Sequence, residues 1–163
     1  MGYTHYYTFK PQPGKDYSTQ FMSAFLDIKL ALRTLPKKSE TAGGDYKQPI
    51  TLRGGDGYGE PTFDKKLISF NGDGETKDDL SHETFFFSFD SSHQQDSFCK
   101  TARKPYDFMC CICLLAFANR IDDMDISSDG DLEDWQPAID FYELNIGKLN
   151  PERLKKIFEY EEV

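Results

Sequence analysis

The sequence predicts an α+β fold: a mainly antiparallel sheet packed by a central apolar helix and by flanking helices. Two observations lead there. Short aromatic and β-branched runs, separated by Gly-rich or acidic turns, crowd the middle of the chain. Beyond them, Phe108 to Ala118 is apolar on every side, as a helix at the centre of a core must be. With 163 residues, one domain over 1–163 is the natural reading, and about 148–163 reads as a C-terminal helical extension.

The elements follow in order. Tyr3 to Phe9 is a short aromatic strand, ended by Pro11, Pro13 and Gly14. Ser18 or Thr19 is placed to cap a helix, whose apolar residues Phe21, Phe25, Ile28, Leu32 and Leu35 step by four and three along one face. Pro36 closes it, and Lys37 to Gln48 is a polar linker. Ile50–Leu52, Thr62–Phe63, Leu67–Phe70 and Thr84–Phe89 read as strands. Pro105 suits the first position of the central helix. Met124–Ile126 is a strand. Trp135, Ile139, Tyr142 and Ile146 mark a further helical face, ended by Gly147, and Asn150-Pro151 opens the last helix.

Composition narrows the partners. There are 19 Lys+Arg against 28 Asp+Glu, a formal charge of −9, which argues against nucleic acid or an anionic membrane as partner. The longest apolar run is too short to cross a bilayer, which needs about 20 residues, and the first ten residues do not form a signal peptide. Three of the four cysteines lie in the apolar helix, so reduced thiols and a cytoplasmic protein are expected. Cys110 and Cys113 have CxxC spacing without a second ligand pair, so no zinc is expected there.

The segment Cys99-Lys100-Thr101-Ala102-Arg103-Lys104 stands out in so acidic a chain. Placed before a helix start, it resembles an anion site: Arg103 to grip phosphate with two hydrogen bonds, Lys100 and Lys104 as point charges, and helix N–H groups behind them. That reading requires the helix to begin at Pro105; otherwise these cations are solvated or paired with carboxylates. Asp125 to Gln136 partly fits a calcium loop, but Gln136 stands where a bidentate Glu belongs. Helix-start acids, or partners for the basic segment, are the alternatives, and no metal is expected. The run Gly54 to Gly59 lacks the strand-to-helix context of a phosphate loop.

Alternation places Tyr3, His5 and Tyr7 on one strand face, a polar-aromatic surface suited to a flat ring. Trp135 fits either a ligand ring or the core. No Ser-His-Asp order, HExxH or carboxylate pair compels catalysis, and no cofactor is implied.

Gly2-Tyr3-Thr4-His5-Tyr6, Phe70-Asn71-Gly72-Asp73, Glu83-Thr84-Phe85, Phe98 to Asp107 and Ser127 to Asp131 with Glu133-Asp134-Trp135 together resemble a family of small uncharacterised proteins of tailed phages and prophages. The resemblance spans Met1 to Gly147, and Lys-Thr-Ala-Arg-Lys-Pro-Tyr-Asp is its most specific string. It brings no catalytic residues with it. It implies a phage accessory protein in the host-cell cytoplasm, and by analogy a counter-defence sponge. The expected function is sequestration, without turnover, of a phosphate-bearing host nucleotide signal, cyclic or ADP-ribose-like. Lys100, Thr101, Arg103 and Lys104 would lie at its phosphate, and Tyr3, His5, Tyr7 and Trp135 at base or ribose. The alternatives are a small nucleotide hydrolase or phosphodiesterase using His5, His82 or the acidic loop, and an acidic protein-binding inhibitor. A homo-oligomer is left open.

Overall fold

A computed structural model describes residues 2–35 and 50–158. Strand β1 (Thr4–Phe9) is the middle strand of a first antiparallel sheet, between β5 (Gln95–Lys100) and β6 (Met124–Ser128). Strands β2 (Thr62–Phe63), β3 (Leu67–Phe70) and β4 (Phe85–Ser88) form a second antiparallel sheet. Among the described residues there are also four α-helices: α1 (Ser18–Thr34), α2 (Asp107–Arg120), α3 (Leu132–Asn145) and α4 (Pro151–Ile157). The fold is α+β, as expected.

Helix α2 is the centre. Every residue from Asp107 to Phe117 is buried, which explains a sequence apolar on all sides. Its Phe117 ring lies 4.5 Å from Phe87 and 6.2 Å from Phe85 of the second sheet. Helix α1 turns Phe21, Phe25 and Ile28 inward, and α3 does the same with Trp135, Ile139 and Tyr142.

The expected single sheet is two. Both edges of β1 are taken by β5 and β6, and β4 meets β5 through side chains rather than a ladder. The Gln95 amide accepts from Ser88 N at 3.1 Å and donates to Ser88 O at 2.8 Å, standing in for a strand. At the other end, just before β4, Lys100 N donates to the Glu83 carboxylate at 2.7 Å, and Glu83 N makes a single backbone bond to Lys100 O at 3.1 Å.

Local differences have local causes. Ile50–Leu52 is not a strand; the pairing there is a single bridge, Arg53 to Asn71. Gln95–Lys100 is a strand although its first residues are polar, because it is an edge strand with an exposed face. Neither Ser18 nor Thr19 caps α1: the residue before the helix is Tyr17, and Asp16 accepts from Ser18 N at 2.9 Å. Helix α2 starts at Asp107, since Pro105 and Tyr106 belong to the turn before it. Pro36 and the linker 37–48 lie outside the described residues.

Candidate functional site

Three of the strings that the sequence sets apart converge on the inner face of β1. His5 comes from the first, Thr101 and Asp107 from the second, Ser128 and Trp135 from the third. His5 is fully buried, and its ring is held at both nitrogens: Nδ1 lies 2.8 Å from Ser128 Oγ and Nε2 lies 2.6 Å from Asp107 Oδ1.

Donor counting assigns the protons. Trp135 Nε1–H at 3.2 Å and the Gly130 N–H at 2.9 Å both donate to Ser128 Oγ. A hydroxyl has two acceptor positions and one proton, so that proton goes to His5 Nδ1. Nε2 then carries the ring's own proton and donates it to Asp107. Thr101 Oγ1 donates to the same Oδ1 at 2.6 Å. The Ser128 oxygen thus has no lone pair left for attack, and the Ser-His-Asp line is a structural relay rather than a nucleophile with its base. Gly130 is required by close approach: a Cβ there would run into the Tyr3 hydroxyl.

The basic segment sits above this network. Ala102 and Arg103 both have left-handed backbones (φ +52° and +57°), closed by Lys104 N donating to Thr101 O at 3.0 Å. This tight turn carries the Arg103 guanidinium over the Tyr3 ring, 4.0 Å from its centroid, and Nη1 donates to Asp134 at 3.0 Å. The side chain remains 61% exposed. Asp134 raises the guanidinium's already high pKa, and burial raises that of the Tyr3 phenol. Lys100 is exposed on β5, and Lys104 donates to Asp79 O at 3.1 Å. The expected anion cradle at the helix start does not form. Asp107 N, Phe108 N and Met109 N already donate to Lys104 O, Pro105 O and Tyr106 O.

The expected ring contacts are in the core. Tyr3, His5, Tyr7 and Trp135 are at most 5% exposed. Tyr7 stacks on Phe85 and donates to Phe86 O at 2.8 Å, while Trp135 meets His5 and Phe158 edge to face. The acidic loop is spent on structure: Asp129 accepts from Thr4 N, and Asp131 and Asp134 form a capping box for α3. His82 is exposed, and its neighbour Glu83 is bound to Lys100 N.

The outer face of the first sheet holds what sequence reasoning missed. Tyr6 (45% exposed) and Phe98 (57% exposed) are direct partners across β1 and β5. Lys100 follows Phe98 by two residues on the same face. On the β6 side of Tyr6 lies a groove of about 430 Å³, lined by Tyr6, Thr8, Asp125, Ile126, Ser127 and Lys156. The alternation that sends Tyr3, His5 and Tyr7 inward also sends Tyr6 outward. Phe98 was hidden because its segment does not read as a strand. Comparison with family models, curated proteins and solved structures finds no match.

Proposed function

We propose that the protein binds a phosphate-bearing nucleotide on the outer face of its first sheet and holds it without turnover. The observation that carries this reading is the exposed Tyr6–Phe98 pair with Lys100 beside it. Aromatic rings on a sheet face are platforms on which bases stack, at about 1–3 kcal/mol per base. Lys100 and, across the groove, Lys156 supply cations for phosphate. Arg103, one tight turn beyond Lys100, is turned over the Tyr3 ring and paired with Asp134, so the phosphate contacts rest on the two lysines.

Asp96 and Asp125 are exposed on strands flanking β1, and with a net charge of −9 they disfavour a long polyanion. A small ligand fits this balance better than a nucleic acid strand. Occupied lone pairs on Ser128 and full burial of His5 argue for binding over hydrolysis. The phage counter-defence setting belongs to the family resemblance and rests on it alone.

The test is to load the protein with ADP-ribose, a cyclic dinucleotide and AMP, remove unbound ligand, denature, and identify what is released by mass spectrometry. Intact ligand is the expected result. A cleaved product would favour the hydrolase alternative, and no retained ligand would favour a protein-binding surface.

A further inference from the structure

His5 on β1 and Asp107 and Cys111 on α2 bring three kinds of metal donor within 4.8 Å of one another, all buried. Asp107 and Cys111 are four residues apart, so one face of α2 presents both. Cys111 Sγ lies 3.8 Å from His5 Nε2 and 3.7 Å from Asp107 Oδ2. Zinc bonds of about 2.3 Å to sulfur and about 2.0–2.2 Å to nitrogen or oxygen, at tetrahedral angles, set such edges at roughly 3.5–3.6 Å. Two of the three edges are therefore already close to those of a zinc site. The third, Nε2 to Oδ1 at 2.6 Å, is closed by a proton that a metal would replace.

We propose that His5 Nε2, the Asp107 carboxylate and the Cys111 thiolate form a buried zinc centre, completed by a small oxygen ligand such as water. Carboxylate and thiolate together balance a dication. Without the metal, Asp107 meets no Lys or Arg within ion-pair distance among the described residues; its carboxylate is held by hydrogen bonds from His5 and Thr101. Mixed sulfur, nitrogen and oxygen donors suit zinc, whereas magnesium and calcium prefer oxygen alone. Thr101, 2.6 Å from the same carboxylate, becomes its outer partner.

Loading changes the relay. The Cys111 proton leaves to solvent, and the His5 proton moves from Nε2 to Nδ1, from which it is donated to Ser128 Oγ. Three N–H groups then face a hydroxyl with two acceptor positions. The longest contact, Trp135 Nε1 at 3.2 Å, is the one to weaken. Trp135 is the chain's single tryptophan, so its emission reports the event.

The experiment is a cobalt(II) titration of the untagged full chain, followed by absorption, tryptophan emission and X-ray absorption. The expected result is one equivalent bound, a sulfur-to-cobalt charge-transfer band, one sulfur neighbour and a change in emission. Cys111→Ser should abolish the band, while Cys110→Ser and Cys113→Ser should keep it. No band in excess cobalt, two sulfur neighbours, or a band surviving in Cys111→Ser would overturn the proposal. If Cys111→Ser does not fold, the wild-type band and sulfur count decide alone.

Discussion

Tyr6 faces Phe98 directly across the antiparallel pairing of β1 with β5, and both rings are about half exposed. Their strand neighbours Tyr7 and Cys99 point the other way, into the core. One sheet thus separates a wet aromatic surface from a dry polar relay. Ligand binding and fold stability are thereby assigned to opposite faces, and substitutions can address them separately.

Ala102→Gly should stabilise the protein. Ala102 has a left-handed backbone at φ +52°, which costs an L-residue roughly 1–2 kcal/mol. Glycine removes that cost and loses about 0.5–1 kcal/mol to its freer unfolded chain. A net gain of about 0.5–1 kcal/mol by chemical denaturation is expected. A loss of that size would show that the turn is not strained.

Trp135→Ala should cost about 3–5 kcal/mol, the usual range for emptying a buried aromatic site. The ring is fully buried against His5 and Phe158, and its N–H is one of the two donors that fill Ser128 Oγ. Equilibrium unfolding measures this, and an unchanged midpoint would remove Trp135 from the core.

Stability should fall in acid, with Asp122 contributing. Its carboxylate is held below the usual 3.8 first by Arg153 and then by Lys15. A lowered folded pKa gives stability that is fully present above the unfolded value, near pH 4, and is lost as pH falls through the folded value. Asp122→Asn should therefore destabilise at pH 7 and flatten the acid limb below about pH 4. Parallel unfolding curves for variant and wild type down through the acid range would contradict this.

Legibility in the sequence followed periodicity. The stepping of Phe21, Phe25 and Ile28 and the unbroken apolar run of α2 had no other good solution, so both helices were readable. Gln95–Lys100 was not: an edge strand with Gln, Asp and Ser in its first half needs no apolar pattern. Missing it hid Phe98, and with it the aromatic pair. Alternation in β1 puts His5 and Tyr7 on one face, as found, but nothing local to β1 reveals that α2 and β4 cover that face. The Arg103–Asp134 pair lay among the open alternatives because carboxylates and cations outnumber any one pairing. The split into two sheets was unreadable for a related reason: it depends on the Gln95 amide replacing a ladder.

Calorimetric titration of wild type and Phe98→Ala with the same three nucleotides tests the account most directly. The outward ring should contribute little to stability, so the variant's unfolding curve should match the wild type. Loss of a stacking contact worth about 1–3 kcal/mol should weaken binding roughly 5- to 150-fold, with wild-type affinity falling as salt is added. Phe98→Ala binding as tightly as wild type, or no binding by wild type to any of the three, would contradict the nucleotide site on the outer face.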